Sequence, residues 1–188
     1  MSEHDPTRRE LLRGAALSAV LGGLNAEAAQ HVHAVAAQQK KAAGVYRPQA
    51  FTAHEFRTLG VLCELILPGA REAGAAEFID LLAGHNAELK AIFTGGLAWL
   101  DRRASKPFAD AAPAERTALL DRIAYRKNDS PELGPGIHFF DWARKMVVDA
   151  YFTSPAGIAA LGYKGNVGMT RFQVPKEALD YALRRAPE

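Results

Sequence analysis

The chain has one cysteine in 188 residues, no apolar run long enough to cross a bilayer, and almost no net charge, at +2. Each shortage excludes something. A single cysteine, Cys63, cannot close an internal disulfide. Nor can it supply the ligand set of a structural zinc site or an iron–sulfur cluster, or the Cys-x-x-Cys-His of covalent haem. A helical span needs about 20 apolar residues in a row, and none is present. The near-neutral balance argues against a nucleic-acid binder, which would concentrate basic residues on one face. Catalytic signatures are missing too. There is no His-Glu-x-x-His, no Gly-x-Ser-x-Gly and no Glu-x-x-His pair. His54, His85 and His138 stand apart from one another, and Asp80 and Asp141 read as capping or salt-bridge carboxylates until a second group converges on them. Gly162-x-x-Gly165-x-x-Gly168 follows a short helix rather than a strand, so it reads as a tight turn and not a nucleotide loop. Any redox or metal cofactor is expected in a partner and not in this chain.

With 48% hydrophobic and 23% charged residues, the chain can build a real core, and its length suits one domain. Its first 28 residues read as an address. Arg8-Arg9 is followed by Leu11-Leu12 and Arg13, then by a small apolar run from Gly14 to Leu24, then by Ala26-x-Ala28. This order of basic region, short apolar region and Ala-x-Ala cleavage site is that of an export signal, and the arginine pair resembles the twin-arginine type. That route carries proteins already folded, which suits a chain that binds a cofactor or a subunit before export. Residues 29–50 are rich in Ala and Gln with few large apolar side chains, and are expected to form a linker. His31-x-His33 within it reads as solvated.

The remaining residues, 51–188, read as an all-α single domain, since no segment alternates with period two. Thr52-x-x-Glu55 is a capping box. Phe56, Leu59, Leu62, Cys63 and Ile66 then share one face up to Pro68-Gly69. Cys63 on that face reads as a small buried hydrophobe, with a disulfide to another subunit or a reactive thiol as the alternatives. Helices are also expected at 77–82, at 87–103, from Pro113, and at 176–185, with a loop over 129–136. Residues 137–152 carry apolar side chains around more than half the circumference. Such a helix is central to the core or lies under a partner. Ser154-Pro155 caps a short helix running through Leu161.

An ordered set of these features resembles one family, the small subunit (subunit 3) of membrane-associated gluconate 2-dehydrogenases and related FAD-dependent sugar dehydrogenases. The set comprises the arginine-pair leader and Leu62-Cys63-Glu64-Leu65-Ile66-Leu67-Pro68 with the following Gly69-Ala70 to Glu77-Phe78-Ile79-Asp80. It continues with Phe108 ahead of Ala114-Glu115-Arg116-x-x-Leu119-Leu120, then Tyr151-Phe152-Thr153-Ser154-Pro155 and Gly162-Tyr163-Lys164-Gly165-Asn166. It departs from the family at the compact Pro68-Gly69-Ala70-Arg71 turn. The resemblance implies a non-catalytic chain with no cofactor of its own. A large flavoprotein subunit would hold FAD and oxidise a sugar, aldonate or polyol, and a cytochrome c subunit would take the electrons on. The small subunit would assist folding and export of the large one to the periplasm, with membrane association through the complex. Trp142, Tyr151, Phe152, Tyr163, Lys164 and Asn166 are the expected partner-facing residues, aromatic anchors beside a polar loop. The competing readings are an exported helical binding module and a self-sufficient enzyme.

Overall fold

Thr52 and Glu55 satisfy each other's backbone in the first turn of a helix. The Glu55 amide donates to Thr52 Oγ1 at 3.2 Å, and the Thr52 amide donates to Glu55 Oε2 at 2.8 Å. This helix is the second of eight in a computed structural model that describes residues 26–162 and 174–185. The elements are α1 (Ala26–Ala43), α2 (Ala53–Ile66), α3 (Ala75–Ala83), α4 (Ala87–Arg103), α5 (Pro113–Ile123), α6 (Gly134–Phe152), α7 (Pro155–Ala160) and α8 (Lys176–Leu183). Two single 3₁₀ turns, Phe108–Asp110 and Arg126–Asn128, flank α5. The protein is all-helical, with no strand among the described residues.

The centre of the core is α3. It is short because it must be apolar nearly all round, and only Glu77 of its nine residues is not buried. It packs against α1, α2, α4 and α6. Gly74, at φ +84°, makes the left-handed turn into it, where a side chain would be strained. The crossing of α4 and α6 is close because Gly96 leaves room for the Phe139 ring. A Cβ at position 96 would stand 2.0 Å from that ring. Phe93 meets Phe139 edge to face, with ring centroids 5.6 Å apart.

Most sequence expectations fall where the local chemistry puts them. Asn86 caps α4 by accepting from the Leu89 amide at 2.9 Å, and Pro113 opens α5. Ser154 caps α7 through the Gly157 amide. Two expectations differ. The loop at 129–136 ends at Leu133, because Pro135 sits in the first turn of α6, where its missing N–H costs nothing, and Gly136 gives way to the Trp99 ring. The larger difference is the linker expected over 29–50. Most of it is the helix α1, with Ala29, Val32, Val35 and Ala36 buried against the body. Alanine and valine bury little area each, but they let a helix approach closely, so scarcity of large side chains did not mean a loose chain.

Residues 46–51, which follow α1, are held by one carboxylate. Asp80, in the middle of α3 and fully buried, accepts from Tyr46 OH (2.7 Å) and from the amides of Gln49 (2.8 Å), Ala50 (3.0 Å) and Phe51 (3.1 Å). Burial, and then the Asp80 contact, push the Tyr46 hydroxyl far above its ordinary range, so it remains a donor.

Candidate functional site

Helix α6 divides into sectors. Phe139, Ala143, Met146, Val147 and Ala150 face the core. On the opposite side, His138, Asp141, Trp142, Lys145, Val148, Asp149 and Phe152 recur at three- and four-residue steps and form the solvent-facing stripe. Trp142 is half-buried, with the Lys145 ammonium 5.3 Å from its ring centroid. Val148 and Phe152 are exposed at 38% and 36%. Charge surrounds these apolar groups. Asp141 accepts from Arg126 Nε at 2.9 Å and from Arg144 at 3.1 Å. Partial burial raises the Asp149 carboxyl above its ordinary range, against the pull of Lys145.

Beside the stripe lies an apolar cleft of 290 Å³ between the end of α2, α5 and α6. Leu65, Ile66, Leu120, Phe140 and Val148 line it, and Arg144 stands at its rim. Stripe and cleft share Val148, and Arg144 at the cleft rim pairs with Asp141 of the stripe, so they form one continuous surface. Its chemistry is that of a docking face, with aromatic and aliphatic groups at the middle and ion pairs around them.

The expected partner residues do not all meet here. Trp142 and Phe152 lie on the stripe. Tyr151 points to another side of α6, its ring 3.7 Å from where a Cβ of Gly69 would stand, and it meets Phe152 edge to face at 5.1 Å. Tyr163, Lys164 and Asn166 lie outside the described residues, as do Arg8, Arg9, Leu11 and Leu12. Ala26 opens α1 and Ala28 is in its first turn. Cys63 is fully buried on α2, and burial pushes its thiol far above the ordinary range.

A second concavity, of 550 Å³, runs between α1, the turn into α3 and α7. Ala34, Ala37, Ala73, Pro155 and Ile158 form its walls, with Lys40, Glu72 and Glu77 beside them. His33 lies at its edge, 3.2 Å from Thr153 Oγ1 and packed on the Phe78 ring at 4.8 Å. Burial lowers the His33 pKa, and a hydrogen bond to the Ala150 carbonyl only partly offsets this. Sequence reasoning missed both His33 and the Asp80 cluster as organising groups. The His31-x-His33 spacing was visible, but nothing in it marked one histidine as packed.

Among the described residues, no three His, Cys, Asp or Glu side chains come together as a metal site would require. No helix of the described residues is long and apolar enough to cross a membrane. His54 and Asp101 pair at 2.6 Å on the surface, where Asp101 also accepts from the Phe108 amide. That arrangement joins α2 to α4, with no third group in line.

A family model described as gluconate 2-dehydrogenase subunit 3 matches residues 53–168, from the start of α2 to beyond α7. Neither the curated proteins nor the solved structures gave a match. The chain belongs to the gluconate 2-dehydrogenase subunit 3 family.

Proposed function

We propose that this chain, as a member of that family, is the non-catalytic small subunit of a dehydrogenase complex, and that it binds a larger flavoprotein subunit through the outer stripe of α6. FAD and the oxidation of a sugar, aldonate or polyol then belong to the larger chain, and a cytochrome c subunit accepts the electrons. The observation that supports this most is the continuous surface of Trp142, Val148 and Phe152 with the neighbouring apolar cleft. A half-buried tryptophan beside exposed apolar groups, ringed by paired charges, is what interface centres look like. In the same reading, the arginine-pair leader takes the assembled pair through the twin-arginine route to the periplasm. The small subunit thereby acts as folding aid and export guide.

Co-expression with the larger subunit tests this. Trp142→Ala combined with Phe152→Ala is expected to weaken co-purification by at least about 2 kcal/mol, roughly 30-fold, while the helical signal of the small subunit persists. A large subunit that folds, is exported and works without this chain would overturn the proposal. Changing Arg8 and Arg9 to Lys is expected to strand both chains in the cytoplasm, and unchanged export would remove the guiding role.

A further inference from the structure

The Ala26-x-Ala28 pattern nominates the bond between Ala28 and Ala29 for removal of the leader, and the fold places that bond inside α1. Ala29 is fully buried, Ala28 packs partly against the core, and Val32 one turn on is fully buried. His33 then fixes the same helix to Phe78 and Thr153. We infer that the folded body shields the Ala28–Ala29 bond, so that the exported subunit keeps α1 whole and its chain starts ahead of, or at, Ala26. The inference rests on the export reading above and adds where processing cannot occur.

Two physical reasons support it. Peptidases cut exposed, irregular chain, and a bond in a docked helix becomes available only when that turn unwinds. A cut there would also leave a new ammonium on Ala29. The charge would sit at the positive end of the dipole of the shortened helix, on a residue that packs in the core. Both effects oppose a mature end at residue 29. A route that transports folded protein gives α1 time to dock before any peptidase meets it.

The test compares the folded full-length chain with a synthetic peptide of residues 15–40, each incubated with leader peptidase in detergent and read by intact mass. Cutting after Ala28 is expected on the order of 100-fold slower in the folded chain than in the peptide. Val32→Asp, which loosens α1, is expected to bring the rate back toward that of the peptide. Equal rates for folded chain and peptide would overturn the inference. N-terminal sequencing of the subunit purified from the cell envelope decides independently. A start at or before Ala26 upholds it, and a start at Ala29 overturns it. Recovery of the chain only from the cytoplasm would sink the export reading, while the peptidase comparison would still decide the shielding. A peptide that resists cutting would discard the Ala-x-Ala site, leaving the envelope-derived N-terminus to decide.

Discussion

The two helices that flank the family-matched stretch behave in opposite ways. Helix α1 has the less promising sequence, a run of Ala, Gln, His and Lys with two valines, yet one side of it is in the core. Helix α8 is distinctly amphipathic, with Ala178, Leu179 and Ala182 on one side and Glu177 and Asp180 on the other. Every one of its residues is exposed, Leu179 at 47% and Leu183 at 64%. An apolar stripe therefore did not decide burial. Helix α1 is buried because its small residues fit the surface of α3 and because the chain that follows it is tied down. Eight residues are also too few for a helix to persist alone in water, so α8 draws no stability from a docked face among these residues.

The largest expected effect comes from cutting that tie. Asp80→Ala leaves the Tyr46 hydroxyl and three backbone amides without their acceptor. It should cost about 3 kcal/mol or more, measured by chemical denaturation. Residues 46–51 should lose protection from hydrogen exchange first. A loss below about 1 kcal/mol would mean that α1 docks through its own contacts and not through the strap after it. Next in size is Val32→Asp, which puts a charge into the contact between α1 and the body. About 2–3 kcal/mol of destabilisation is expected, with new proteolytic cuts confined to α1. An unchanged digestion pattern would show the helix to be held elsewhere.

A smaller effect is expected from pH. His33 has its pKa lowered from 6.5 by burial, so the unfolded chain binds the proton more readily than the folded one. The contribution of His33 to stability is therefore fully present above pH 6.5 and lost as pH falls through that value toward the lower folded pKa. Lys40, Glu72 and Glu77 line the same concavity, and Asp149 directly precedes Ala150 and lies one turn before Thr153. The raised Asp149 carboxyl acts with the opposite sign, in the carboxylate range. Melting temperature should fall from about pH 8 to about pH 5, and His33→Gln should flatten the part near neutrality. A slope unaltered by that change would assign it to groups other than His33. The smallest effect belongs to α8. Leu179→Ser with Leu183→Ser should leave the stability of the isolated chain within about 0.5 kcal/mol. A larger loss would show that α8 packs on the body after all and would erase the contrast with α1.

Local signals carried most of the fold. The Thr52 capping box, the limits of α4 and the Pro113 start all follow from interactions within a few residues of chain, which sequence patterns record. The docking of α1 does not, since it depends on a distant surface that accepts small side chains. The Asp80 cluster was harder still to see. Three of its four donors are backbone amides, which every residue but proline carries, so only the fold reveals that they converge. Of the expected partner residues, Trp142 and Phe152 share a stripe because ten residues nearly complete three turns. Tyr151, one residue earlier, is turned about 100° away, an outcome that proximity in sequence concealed.

Asp80 joins the chain to residues 29 to 34 positions earlier, closing a loop comparable to those that small secreted proteins close with sulfur. This staple is made of hydrogen bonds, so it needs no oxidant and forms equally well before and after a chain leaves a reducing compartment. It also opens and recloses without chemistry. A protein with one cysteine can therefore be cross-linked at its centre, and neither reductant nor oxidant in its surroundings alters that link.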